Sequence, residues 1–308
     1  MHLHLLRHRG WLAALLGLLT VGVATVAIVG CCITGVEAVA GRSVASSPPT
    51  ISAPPSTAAL ATATPSIDPA AVLANVRAAA AAAQGSIRVV VLDPDGRPLI
   101  TGPDAGAPTY TASLVKILVV ARLLALDAAG SLALSGEDLD LVQRAVVQSD
   151  DGAMSRLWDR YDGAQLVRHV ATAVGLTGTR LPAVPGQWGQ AVTTAADVAT
   201  VLSALGDILD DDDVETLLGW MRSTSAIAAD GFDQWFGLLA PVHGGMAAKQ
   251  GWMCCVDGVR QLHSAGVLTD GRVVVLLGEF PASTSWGSAV RALDDAGAAV
   301  LAELPEGT

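Results

Sequence analysis

Residues 41–68 set the limits on what this chain can fold into. The stretch is built largely from Ser, Pro, Thr and Ala, with prolines at Pro48, Pro49, Pro54, Pro55 and Pro65. Such a segment buries too little apolar surface to offset the entropy of ordering it, so it reads as an extended tether. At about 3.1 Å per residue its reach is at most on the order of 80–90 Å. The folding unit is therefore expected downstream, in residues 68–308, with 37–67 as the linker. The chain is 51% apolar, enough for one sizeable core or two small ones.

Upstream of the tether, Arg7 and Arg9 precede a stretch without charged side chains from Gly10 to Val36. A spanning helix needs roughly 20 apolar residues, and the core of a cleaved signal about 7–15, so length favours a retained transmembrane helix at 10–36. The arginines would hold residues 1–9 in the cytoplasm and place the remainder on the extracytoplasmic side. A second reading stays open: "AIVGCC" resembles a lipoprotein cleavage box, with Cys31 as the residue to be acylated. Either anchor puts the domain at the outer face of the cell membrane.

The net charge of −11 repels phosphate backbones and argues against nucleic acid as a partner. The four cysteines form two adjacent pairs, Cys31–Cys32 and Cys254–Cys255, with neither zinc-site spacing nor the dispersion of a disulfide framework. For Cys254 and Cys255 the reading favours two buried thiols over a vicinal bridge.

Downstream, Asp68-Pro69 is an N-cap followed by proline at the first helical position, opening a helix to about Ala83. "SIRVVVLDPDGRPLI" reads as strand, turn and strand around Asp95-Gly96. From Ser113 to about Trp235 the pattern is largely helical, with capping signals at Ser135/Asp138 and Thr194/Asp197. "RQLHSAGVL" and "GRVVVLLGEF" make two strands joined at Thr269-Asp270-Gly271, and a last helix runs from about Ser288 to Leu304. Strands at both ends and helices between them predict an α/β (α+β) domain. Its expected form is one mixed sheet assembled from both termini, flanked by the first and last helices, with a helical subdomain inserted.

Lysine is nearly absent: Lys116 and Lys249 stand against sixteen arginines. Lys116 lies in "TYTASLVKILVV", three residues after Ser113. On a helix, residues three apart share a face, and a serine at the N-terminus meets free N–H groups and the positive end of the dipole. A lysine desolvated among Leu114, Val115, Ile117 and Leu118 has a lowered pKa and can act as a base, which an arginine cannot. The competing reading is a lysine that snorkels from an ordinary amphipathic helix.

The other motifs add weight. "QSDDGAM" supplies Ser149, and "AAKQGWM" supplies the second lysine followed by Gln250-Gly251. The order Ser-x-x-Lys, Ser-Asp-x, Lys-x-Gly resembles the serine β-lactamase and penicillin-binding DD-peptidase superfamily, nearest its class A branch, over about residues 68–305. The resemblance extends to "GLTGTRLPAV" and "TTAADVATVL". It implies an acyl-enzyme on Ser113, activated by Lys116, with Ser149 relaying a proton to the leaving nitrogen. Lys249 would steer a substrate carboxylate and tune Ser149, and Asp151, Gln250, Gly251 and Trp252 would line the substrate site. The N–H groups of Ser113 and Trp252 would form the oxyanion hole. The substrate would be a β-lactam or a cell-wall (peptidoglycan) peptide; no cofactor or metal is called for.

Three positions depart from that pattern. Asp151 stands where the family usually has asparagine, and a carboxylate beside Lys116 would hold its proton. Gln250 replaces a threonine or serine. Class A enzymes deacylate with a glutamate after the "TRL"-type stretch, yet no Asp or Glu occurs from Gly163 to Ala196, where Pro185, Gln187 and Gln190 lie instead. The helical insert between Ser113 and Ser149 is also short for class A. Two readings follow: a serine hydrolase slow in deacylation, or a non-catalytic binding domain on the same fold.

Other candidates are weaker. His243 and His263 lack a Gly-x-Ser-x-Gly elbow and read as structural. Asp210–Asp213 with Glu215 lacks calcium-loop spacing and reads as an acidic helix start. Trp188, Trp235 and Trp252 have two readings each, the border of a cleft or, by default, core packing.

Overall fold

The computed structural model describes residues 67–240 and 246–304. Segments 1–9 and 10–36 and His243, each with an expectation above, lie outside those residues, as does the linker 37–67 except for Ile67.

Helix α1 (Pro69–Ala82) starts as expected, with the Asp68 carboxylate accepting from the amides of Ala70 and Ala71. Strands β1 (Ser86–Leu92) and β2 (Pro98–Thr101) form the first hairpin, and Gly96 at φ +77° takes the left-handed turn position. A short strand β3 (Thr109–Tyr110) then leads into a 3₁₀ turn at Ala112–Leu114.

The inserted helices follow: α2 (Val115–Ala128), α3 (Gly136–Val147), α4 (Asp151–Arg160) and α5 (Gly163–Ala173). A two-residue strand β4 (Val192–Thr193) pairs with β3 before α6 (Ala195–Ser203), α7 (Leu205–Ile208) and α8 (Asp211–Arg222). Three long strands, β5 (Ala247–Val256), β6 (Val259–Val267) and β7 (Val273–Pro281), return the chain to the sheet before α9 (Trp286–Glu303).

The sheet order is β2-β1-β7-β6-β5, so strands from the two ends of the domain meet where β1 pairs with β7. Every pair is antiparallel, which corrects the expectation of a mixed sheet. Tight connections force that direction for β1–β2, β5–β6 and β6–β7, whereas β1 and β7, distant in the chain, are antiparallel without one. Period-two alternation divides the core. Val89, Val91, Val274 and Leu276 face α1 and α9, while Val90, Leu92, Val275 and Leu277 join the cluster built on α2. Helix α2 is apolar nearly all round and buries every residue from Val115 to Ala121, the mark of a central helix.

The predicted caps hold. Ser135 and Asp138 form a reciprocal capping box, and Thr194 accepts from the Asp197 amide. Asp210 caps α8, whose first turn is acidic as read from the sequence. The last helix begins at Trp286, capped by Ser285, two residues before the expected start. Strand β5 had no clear alternating pattern, because it buries Lys249 and Gln250 as fully as Ala247 and Ala248.

Cys254 and Cys255 form a vicinal disulfide and are exposed, which corrects the reading of two buried thiols. They sit where the β5–β6 pairing is interrupted by a bulge between Met253 and Val256 and leaves the core.

Candidate active site

Ser113 occupies the middle of the 3₁₀ turn that opens α2 and is almost wholly buried, at 5% exposure. The residue before it, Ala112, sits at φ +44°, and Ser149 sits at φ +50°. A left-handed backbone at a residue with a Cβ costs on the order of 1 kcal/mol or more, and it persists only where the surroundings over-determine it. Here Ala112 lines a cleft, and Ser149 sits among the lysines behind its wall.

Strand β3 and its neighbours hold the turn in place. Thr109 donates from Oγ1 to Glu279 at 2.7 Å, and Glu279 pairs with Arg88 at 2.8 Å. His263, on β6, donates from Nε2 to the Tyr110 carbonyl at 2.9 Å. Its complete burial pushes its pKa down to about 4, so it stays neutral and serves as a strut far from any acid–base role. Gly251 lets β5 close on the same turn: a Cβ there would lie 3.3 Å from the Ser113 amide nitrogen and the Thr111 carbonyl.

Both lysines are buried, Lys116 at 0% and Lys249 at 1% exposure, and they converge on Ser149. Lys249 Nζ donates to Ser149 Oγ at 2.8 Å and to its neighbour's carbonyl, Gln250 O, at 3.0 Å. Lys116 Nζ donates to Ser149 O at 2.7 Å, to Ser149 Oγ at 3.3 Å and to Asp151 Oδ1 at 2.7 Å. With two amines donating to its oxygen, the Ser149 hydroxyl keeps its own proton for a third partner.

Burial pushes the Lys116 pKa below a lysine's ordinary value, while Asp151 pulls it back up. Burial, reinforced by the charge of Lys116, pushes Lys249 well below the ordinary value. Three acceptors account for all three Lys116 donors. Among the described residues Ser113 Oγ has no hydrogen-bond partner, so the direct Ser113–Lys116 approach that their spacing allows is not made in this state.

The cleft in front of these groups has a volume of about 360 Å³. Ser113, Asp151, Trp188, Trp252 and Met253 are among its lining residues. Ser113, Lys116, Ser149, Asp151 and Lys249 thus meet in one place, and Gly251 backs it. Gln250 does not reach the cleft. Its side chain leaves β5 on the opposite face, where Nε2 donates to the Phe236 carbonyl and Oε1 is buried without a partner. Trp252 spans both environments, bordering the cleft and stacking on Phe232 at 4.9 Å between ring centres.

Trp188 takes the cleft-border reading over its default of core packing: its ring centre lies 5.0 Å from Lys116 Nζ and it is held by its Nε1 donating to Ser155 Oγ at 3.1 Å. It stands in the carboxylate-free segment, and a tryptophan amid Gly186, Gln187 and Gly189 was the available signal. Asp230 accepts from Trp252 Nε1 at 2.9 Å at the rim, and no motif pointed to it. Trp235 fits neither of its readings: it is 46% exposed and is not among the described residues that line this cleft.

Known proteins share this arrangement at the level of fold and family. Three solved β-lactamases superpose on the chain. The enzyme from Sphaerobacter thermophilus gives a TM-score of 0.60 at 20% identity, covering 76% of this chain and 97% of its own. One from Chitinophaga pinensis gives 0.61 at 15%, covering 74% and 97%. A class A β-lactamase from Bacteroides cellulosilyticus gives 0.61 at 14%, covering 76% and 97%. At these identities the likeness speaks for the fold alone.

In sequence, the chain is 30% identical over 202 residues to LppW of Mycobacterium tuberculosis and of Mycobacterium bovis, a provisionally assigned lipoprotein. The match spans 64% of this chain and 64% of that relative's length. The sequence profile of the beta-lactamase enzyme family matches residues 137–303, a span that holds Ser149 and Lys249 and begins after Ser113. With fold and profile in agreement, the chain belongs to the beta-lactamase enzyme family.

Proposed function

We propose that this chain is a membrane-tethered, extracytoplasmic serine hydrolase that forms an acyl-enzyme on Ser113 and releases it slowly. The observation that carries the reading is the Ser149 hydroxyl held by two buried lysines beside an unpartnered Ser113 in an open cleft. In the first step Ser113 Oγ bonds to the carbonyl carbon of an amide of the β-lactam or cell-wall peptide type. Its proton passes to Lys116 once that amine is neutral. Collapse of the tetrahedral intermediate breaks the C–N bond, and the Ser149 hydroxyl delivers a proton to the leaving nitrogen, replenished from Lys116. The amides of Ser113 and Trp252 are the donors assigned to the developing oxyanion.

The second step is where this site is poor. Hydrolysis of the ester needs a base beside the water that attacks it. The segment from Gly163 to Ala196 offers no carboxylate, and the Trp188 ring lies over the Lys116 amine. Lys116 and Lys249 are both buried, and Asp151, the carboxylate that lines the cleft, is tied up in its ion pair with Lys116, so among the described residues there no group is free to activate water.

The alternative is a binding domain that keeps the pocket without turnover. Its support is the Lys116 amine itself, whose three donors are spent on Ser149 and Asp151. Intact-mass measurement separates the two. The hydrolase reading expects a lasting adduct with a reporter penicillin that disappears in Ser113→Ala; the binding reading expects none with either protein. As to the anchor, the relatedness to LppW, provisionally a lipoprotein, supports acylation at Cys31 over a retained helix.

A further inference from the structure

The charges in the cleft are distributed in a way that the three motifs do not convey. Both lysines lie behind its wall, each fully or almost fully buried, with all three donors of Lys116 and two of Lys249 engaged by protein oxygens. Among the described residues that line the cleft, Asp151 is the one with a charged side chain, and it is 65% exposed. At the rim the exposed Asp230 sits on Trp252, close enough for its charge to act on both Lys116 and Lys249. Gln250, the motif residue that might have offered a hydrogen bond to a substrate carboxylate, has turned to the far face of the sheet. The charged and aromatic groups that an incoming molecule meets are therefore the Asp151 carboxylate and two indole rings, with the Asp230 carboxylate bound to one of those rings. Among the described residues that line the cleft, an anion meets like charge with no cation beside it, and a cation meets opposite charge and aromatic faces.

We infer that Asp151 and Asp230 select for a cationic substrate: an amide or ester that carries a positive charge near the scissile bond and no carboxylate there. This rests on the Ser113 acyl-enzyme proposed above and narrows its substrate class. Asp151 thereby has two effects: it restrains Lys116, and it presents its exposed edge to the substrate's charge.

The test uses one lactam in three charge states on the full chain: benzylpenicillin as its carboxylate, as its methyl ester and as its 2-(trimethylammonio)ethyl ester. The rate constant for adduct formation on Ser113 is read by intact mass. One exposed charge contact changes a rate about fivefold, so the cationic ester should react at least about tenfold faster than the carboxylate, with the methyl ester between. Added salt should shrink that ratio. Asp230→Asn keeps the acceptor for Trp252 and should lower the ratio by about threefold or more. Asp151→Asn should lower it too, whatever it does to the absolute rates.

Equal rates, or a faster carboxylate, overturn the inference while leaving the acyl-enzyme standing. A cationic preference untouched by both substitutions overturns its assignment to these residues. If no lactam reacts, the inference falls, and an uncharged fluorophosphonate then decides the wider reading: labelling of Ser113 keeps it a serine hydrolase, and no labelling removes that as well.

Discussion

Lys116 Nζ and Asp151 Oδ1 stand 2.7 Å apart, yet the amine is fully buried and the carboxylate is 65% exposed. The pair joins the interior to the cleft. Asp151 opposes the desolvation that lowers the Lys116 pKa, and so restrains the base that the reaction needs. Replacing Asp151 with Asn removes the counter-charge but keeps the shape. The Lys116 pKa should then fall, and the rise of acylation rate with pH should move to lower pH. At neutral pH each unit of that shift speeds acylation up to about tenfold. A pH–rate profile of adduct formation checks this; an unchanged or slower rate would show that Asp151 does not restrain Lys116.

Gly251 owes its place to close approach. With a Cβ at 3.3 Å from the Ser113 amide nitrogen and the Thr111 carbonyl, Gly251→Ala must push β5 and the 3₁₀ turn apart by a few tenths of an ångström. We expect a modest loss of stability, about 1–2 kcal/mol, and a larger proportional loss of acylation, because the displaced groups are Ser113 and its amide. Urea titration and adduct kinetics on the same preparation separate the two effects.

His263 makes stability depend on pH. Its pKa falls from 6.5 to about 4 on folding, so between those values the unfolded chain binds a proton that the folded chain does not. The stabilisation from keeping it neutral is complete above about pH 6.5 and is lost as pH falls toward 4. It amounts to on the order of 3 kcal/mol. Urea unfolding from pH 7.5 to 4.5 should show that slope, and His263→Gln should flatten it.

Asp138 acts in a lower window. Its hydrogen bond from the Ser135 hydroxyl holds its pKa down at about 2, so its contribution is present above about pH 4 and lost as pH falls through 2. Ser135→Ala should remove the capping box and cost about 1 kcal/mol at neutral pH. Thermal unfolding of the two proteins at pH 7 reads it.

Much of this was legible in the chain itself. Caps at Asp68, Ser135, Thr194 and Asp210 are local chemistry, and local chemistry survives into the fold. The burial of Lys116 followed from its apolar neighbours. What could not be read depended on contacts distant in sequence. Strand β5 hides two polar residues because Ser149 and Phe236 supply their partners from elsewhere. Trp188 and Asp230 lie in segments without periodicity and acquire meaning only where the fold brings them to Lys116 and Trp252. The pairing of Cys254 with Cys255, exposed at a bulge, is not announced by two adjacent cysteines in a sequence.

The most direct test of the account is the lifetime of an adduct. The full chain, exposed to a reactive lactam ester and then freed of excess reagent, should carry one acyl group on Ser113 that persists for hours, and Ser113→Ala should carry none. An adduct that clears within seconds would contradict the slow deacylation argued from Trp188 and the missing carboxylate. A chain that stays unmodified with every lactam and with a fluorophosphonate would contradict Ser113 as a nucleophile.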